Sequence, residues 1–122
     1  MLKVILSEIP ISLNNKLIYA FKQESNKIIE IVNVCFNIKY KKNWIAILRY
    51  DNYHGYMHRH TLISLDDKTE TIDTKGVKQK GTNKRLLSWA INDIKNNYIH
   101  YKKKVILRSS KKINKKISID FY

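Results

Sequence analysis

Between residues 28 and 50 apolar and polar side chains alternate with the two-residue period of a pleated strand, and the alternation restarts after a short basic break. Ile28, Val32, Val34, Phe36, Ile38 and Tyr40 share one parity, with Asn33, Asn37 and Lys39 on the other. Successive strand side chains point to opposite faces, so this run reads as a half-buried strand. Lys41-Lys42-Asn43 reads as a three-residue turn, after which Trp44, Ala46, Leu48 and Tyr50 fall on the face of the first apolar set. The two runs form an antiparallel hairpin, which commits the chain to a sheet.

The remaining segments extend that sheet and cover it. A third strand is expected from about Tyr56 to Leu65, and a short fourth over Thr69 to Asp73 after a turn at Asp66-Asp67-Lys68. The first 23 residues are ambiguous. Leu13, Leu17, Ala20, Phe21 and Glu24 suit a short helix capped by Ser12, whereas Leu17 to Phe21 also suits a strand that turns at Glu24-Ser25-Asn26, which is the preferred reading. Gly76 and Gly81 bracket a lysine-rich loop, and Thr82 then reads as the N-cap of a helix over Asn83 to Lys104. Its stripe is Leu86, Leu87, Ala90, Ile91, Ile94, Tyr98, Tyr101 and Val105, at three- and four-residue spacing. The expected fold class is α+β, a mainly antiparallel sheet of about four or more strands covered on one face by one long amphipathic helix. It forms a single domain, 1–122, with a basic C-terminal segment at 102–122. Ile117, Ile119 and Phe121 alternate with polar residues and suit an edge strand.

Charge narrows the partner. The chain has 24 basic residues against 10 acidic ones, a net charge of +14 and a pI of about 9.9. Lys95, Lys102, Lys103, Lys104, Arg108, Lys111, Lys112, Lys115 and Lys116 follow one another with no acid before Asp120. A one-sign block of this length repels itself unless something anionic neutralises it. Nucleic acid, RNA above all, is the first candidate and an acidic protein partner the second; a homodimer stays open. Cys35 stands alone in the chain, so no internal disulfide forms and a reducing cytoplasm is the expected compartment. The apolar start is cut by Glu8 and Pro10, too short for a signal peptide's hydrophobic region or a membrane span.

Chemistry concentrates in Arg49-Tyr50-Asp51-Asn52-Tyr53-His54-Gly55-Tyr56-Met57-His58-Arg59-His60, which holds three of the four histidines. Histidine exchanges protons near neutrality, and arginine presents a fixed fork of donors to phosphate. Strand register decides whether these residues meet, because a one-residue slip turns every side chain to the other face. A four-residue loop pairs Asp51 with Tyr56 and Arg49 with His58. His58 and His60 then lie beside Arg49 and Asp51 on the polar face, and Arg59 is sent toward the helix, where it needs a carboxylate or carbonyl partner. A five-residue loop pairs Tyr50 with Tyr56 and turns both histidines into the core. The first register is preferred because it leaves the sheet the better apolar face.

Three uses of the cluster compete. In one, a histidine acts as general base on a ribose 2′-hydroxyl and another as general acid on the leaving oxygen, while an arginine neutralises the phosphorane and Asp51 orients an imidazole: RNA cleavage without a metal or other cofactor. In another, His54, His58, His60 and Asp51 surround a metal ion. In the third, Tyr50, Tyr53 and Tyr56 stack on bases while arginines grip phosphates, and nothing reacts. The candidate catalytic residues are His54, His58, Asp51 and Arg49. The candidate nucleic-acid contacts are Arg59, His60, Tyr53, Lys102, Lys103, Lys111, Lys112, Lys115 and Lys116.

The segment from Trp44 to Ile63, and more loosely the helix from Leu86 to Lys104, resembles a group of small prokaryotic TumE-like toxin-antitoxin components. The family pattern runs Arg-Tyr-Asp, two residues, His-Gly, two residues, His-Arg, matched here by Arg49, Tyr50, Asp51, His54, Gly55, His58 and Arg59. Relatives often carry an acidic residue where this chain has His60, which implies that His54 and His58 are the working pair. The resemblance implies a toxin-like, RNA-directed role with an antitoxin partner.

Overall fold

The computed structural model describes residues 1–53 and 55–109. They form six strands and one helix: β1 (Leu2–Ser12), β2 (Asn15–Glu24), β3 (Lys27–Tyr40), β4 (Asn43–Asp51), β5 (His58–Leu62), β6 (Glu70–Asp73) and α1 (Asn83–Leu107). The strands pair antiparallel in chain order as one meander. The α+β class read from the sequence is the observed one. Met1–Gln23, ambiguous in sequence, is mainly strand: the helix alternative fails because Leu17 and Ala20 are buried as members of β2.

Two bulges correct the simple parity of the central hairpin. Between Ala20↔Asn33 and Phe21↔Ile31 the register shifts past Val32, and Ile31 takes the buried position expected for Val32. Between Phe36↔Leu48 and Asn37↔Ala46 it shifts past Ile47, so Ile47 and Leu48 are both buried, while Ala46 and Trp44 are exposed. A bulge inserts one residue and switches the alternation beyond it. The connection between β3 and β4 is also tighter than a three-residue turn, since Asn43 already pairs with Tyr40 and only Lys41 and Lys42 bridge the strands.

Helix α1 starts where Thr82 accepts a hydrogen bond from Arg85 N, a side-chain cap for a donor that has no intrahelical partner. It packs across β3 and, to a lesser extent, β4. Leu86, Leu87, Ala90, Ile94, Val105 and Ile106 meet Val34, Phe36, Ile38, Leu48 and Tyr50 in one core. Full burial of each large apolar side chain contributes about 1.5–3 kcal/mol. Tyr98 meets Phe36 edge-on at 6.0 Å, and Trp89 meets Tyr50 edge-on at 5.5 Å. No helix among the described residues is long and apolar enough to cross a membrane.

One assigned contact is overturned. Lys102 does not stand on the surface with its neighbours: it is 0% exposed, and its Nζ donates to Asn15 Oδ1 at 3.0 Å. At helical spacing it follows Tyr98 onto the buried stripe, four residues on, so its ammonium serves the helix-to-β2 junction and not phosphate. Lys103 and Lys104 are exposed. The lysines of the far tail, Lys111, Lys112, Lys115 and Lys116, and the alternating Ile117, Ile119 and Phe121 lie outside the described residues, as does His54.

Candidate active site

Strands β4 and β5 pair as Leu48↔Thr61, Arg49↔His60, Tyr50↔Arg59 and Asp51↔His58. The loop between them is therefore six residues, Asn52 to Met57, and neither the four- nor the five-residue loop forms. Relative to the four-residue register the pairing slides by two, and a slide of two preserves faces. Arg49, Asp51, His58 and His60 thus share the face away from α1. Arg59 goes to the helix side, where Asp73, the Lys75 carbonyl and the Tyr101 hydroxyl all accept from it.

The long loop is held at both ends. Asn52 Oδ1 accepts from Ile31 N at 2.8 Å, while Asn52 Nδ2 donates to Asn83 Oδ1, and Asn83 Nδ2 donates to Ile28 O. At the other end Gln79 accepts from Met57 N at 3.0 Å and donates to Met57 O at 2.7 Å. Between these clips the chain turns through Gly55, whose φ of 86° lies in the left-handed region where a Cβ is unfavourable.

Asp51 is the centre of the site. Its Oδ2 accepts from Arg49 Nη1 at 3.0 Å and stands 3.0 Å from His60 Nε2, while Oδ1 is 3.5 Å from His58 Nδ1. Arg49 also reaches Glu70 with its second terminal nitrogen, at 3.2 Å. The two imidazoles lie 6.1 Å apart, centre to centre, and the Tyr56 ring packs on His58 at 4.3 Å. These groups line a cleft of about 790 Å³, together with Glu30, Ile31, Val32, Tyr53, Ile72, Asp73 and Thr74. Tyr53, 71% exposed, and Tyr56 stand at its rim. Of the expected catalytic set, Arg49, Asp51 and His58 come together; His60, expected only as a contact, joins them. Among the described residues no three His, Cys, Asp or Glu side chains have a spacing that holds a metal ion.

Cys35 pairs with Arg49 across β3 and β4 at the edge of this group. Burial pushes its thiol up to about 11, against the pull of the adjacent guanidinium. The thiol is protonated at neutral pH and is no nucleophile there.

A second polar group lies on the helix side, and the sequence reading did not find it. Asp93 accepts from the hydroxyls of both Tyr50 and Tyr101, and Arg59 donates to Tyr101. Burial, then the hydrogen bond to Asp93, raises both phenols above their ordinary value. The signal was present: Asp93, Asn97 and Tyr101 recur at four-residue spacing beside the apolar stripe. An acid there calls for buried donors.

The family-model comparison recognises residues 7–108 as a domain of unknown function, DUF7718. The chain belongs to that family. No curated protein and no solved structure matches it. The matched segment starts within β1 and runs through the end of α1, so it includes the cleft and the helix-side network.

Proposed function

We propose that this DUF7718 protein is an RNA-directed endoribonuclease that works by acid–base catalysis with His58 and His60, without a metal. The observation that carries the reading is the Asp51 carboxylate shared by Arg49, His58 and His60 on the cleft floor. One imidazole takes the proton of a ribose 2′-hydroxyl as that oxygen attacks phosphorus. The other gives a proton to the departing 5′-oxygen, leaving a 2′,3′-cyclic phosphate and a 5′-hydroxyl. Arg49 offsets charge on the phosphorane oxygens, while Asp51 orients the His60 ring at 3.0 Å and stands 3.5 Å from His58 Nδ1. His54 is the further candidate from the Arg-Tyr-Asp motif, and the TumE-like resemblance extends the proposal to a toxin role with an acidic antitoxin as partner. A chain of +14 suits both an RNA substrate and such a partner.

The experiment is cleavage of single-stranded RNA in excess chelator by wild type, His58→Ala and His60→Ala. Each variant is expected to lose about a hundredfold in rate, and RNA with deoxyribose at the scissile position is expected to survive. Product that vanishes on chelation would remove the metal-free mechanism. A second reading, binding without cleavage, is favoured by the exposed rings of Tyr53 and Tyr56 at the rim, which suit base stacking. It is the outcome if RNA binds tightly and no product forms.

A further inference from the structure

The face of the sheet that carries the cleft also carries a second patch of different chemistry. Across the strands Lys16 pairs with Asn37, Asn37 with Ala46, and Lys39 with Trp44. Counting past the Ile47 bulge, these positions share the face of Cys35, Arg49 and His60, opposite α1. The Lys16 ammonium sits 4.2 Å from the centre of the Trp44 indole and that of Lys39 5.8 Å from it, yet the indole residue is still 38% exposed. Trp44 and Arg49 are five positions apart on β4, roughly 16 Å at the strand rise.

The turn beside Trp44 adds an independent observation. Lys41 and Lys42 both adopt left-handed backbone, with φ of 49° and 68°. Two-residue turns of this hand favour Asn-Gly, because a side chain with a Cβ is strained there. This turn instead holds two exposed cations. Beneath the patch, the Asn37 side-chain nitrogen is buried and has no hydrogen-bond partner among the described residues.

We infer that Trp44, Lys39, Lys41 and Lys42 form a subsite for single-stranded RNA, so that one strand runs along the helix-free face from this patch to the cleft. The inference rests on the proposed action of the cleft on RNA. A base stacks on Trp44 in place of the Lys39 ammonium, the more distant of the two, and that ammonium turns with Lys41 and Lys42 to the flanking phosphates. Stacking accepts any base, because every base has a π face, while the lysines follow the backbone. Duplex RNA is excluded, because its bases are already stacked on each other and present only edges.

The test uses an eight-nucleotide oligouridylate with 2′-O-methyl groups, which the proposed chemistry leaves intact. Trp44→Ala is expected to weaken its binding about tenfold, Trp44→Phe much less, and Trp44 fluorescence to be quenched on binding. Each of Lys41→Gln and Lys42→Gln is expected to lower the slope of log affinity against log salt by about 0.7. Cleavage of a dinucleoside monophosphate, which occupies the cleft alone, is expected to stay unchanged in Trp44→Ala. The subsite is refuted if Trp44→Ala, with Trp89 emission and melting unchanged, binds the octamer as wild type does, or if duplex RNA or polyglutamate binds the patch equally well. Those results leave the nuclease reading standing when His58→Ala still abolishes cleavage. Conversely, Trp44-dependent binding with no cleavage of any RNA retains the subsite and removes the nuclease.

Discussion

His60 and Arg49, paired across β5 and β4, approach the same oxygen of Asp51, each at 3.0 Å. One carboxylate oxygen thereby fixes a proton-transfer group relative to a phosphate-binding group. Asp51→Asn keeps the shape and removes the charge. We expect RNA cleavage to fall at least tenfold and stability by about 1–3 kcal/mol, the usual cost of leaving a nearly buried polar group poorly paired. Rate and urea melts measured on the same preparation separate the two effects, and an unchanged rate would discharge Asp51 from catalysis.

The helix-side network predicts strong coupling. Asp93→Ala removes the acceptor shared by the part-buried hydroxyls of Tyr50 and Tyr101 and is expected to cost about 1–3 kcal/mol, more than either Tyr50→Phe or Tyr101→Phe. In a double-mutant cycle, Asp93→Ala and Tyr50→Phe should couple by about 1 kcal/mol or more, since the second change removes a donor the first has already orphaned. Additive values would show that the contacts contribute little.

What the sequence made legible was periodic. The stripe from Leu86 to Val105 located α1 and its cap at Thr82, and the alternation from Val34 to Tyr40 located β3. What it hid was whatever breaks a period. Nothing in the residues around Val32 or Ile47 announces a bulge, because the backbone conformation is imposed by the neighbouring strand and not by local preference. Trp44 and Ala46 were for that reason read onto the core face. The β4–β5 register had the right parity at the wrong length, because the clips at Asn52 and Gln79 come from residues distant in the chain. Lys102 was read as a phosphate contact from its charge, although its position on the stripe, next to Tyr101 and three before Val105, already placed it inward. His60 is different: the preferred register already set it beside Arg49 and Asp51, and only the acidic residue common at that place in the resembling family assigned it to contact and not catalysis, whereas pairing with Arg49 brings it to Asp51.

Cys35 gives the chain a pH dependence with a defined sign. The folded state holds its thiol at about 11 against an ordinary value of 9.0, so it favours the protonated form. The stabilisation is complete below pH 9 and is lost as pH rises toward 11, amounting to at most about 2–3 kcal/mol at 1.36 kcal/mol per pKa unit. Urea melts between pH 8 and 11 should fall more steeply for wild type than for Cys35→Ala. Parallel slopes would mean the thiol ionises alike in both states. The phenols of Tyr50 and Tyr101, raised by burial and by Asp93, add a loss of the same sign above pH 10 in both proteins.

Lys102 and Lys103 should part company in two assays. Lys102→Met removes an ammonium held inside the helix-to-β2 junction, and we expect the salt dependence of RNA binding to be unaltered while the melting temperature changes. Lys103→Gln, at an exposed position, is expected to leave melting within about 0.5 kcal/mol of wild type, and any phosphate contact it makes appears as a loss of about 0.7 in salt slope. A change of salt slope in Lys102→Met alone would reverse the assignment.

The turn at Lys41 and Lys42 sets stability against charge. Replacing the pair by Asn-Gly relieves two strained left-handed residues and is expected to stabilise the hairpin by about 1–2 kcal/mol. Binding of single-stranded RNA should weaken in the same variant. Calorimetry and filter binding on one sample decide whether the two move in opposite directions.

Because α1 rests on β3 and β4 and stops short of the outer part of the β1–β2 hairpin, where Leu2, Val4 and Leu6 stand exposed, the sheet is expected to show two classes of amide exchange. Amide protons near Leu2 to Leu6 and their partners Ala20 to Glu24 exchange through local opening, at a free energy well below that of global unfolding. Those of β3, β4 and the buried turns of α1 wait for the whole domain to open. Arg49 and Asp51 stand on β4, in the half expected to open last, so local opening at the far edge of the sheet leaves the carboxylate that His60 approaches in place.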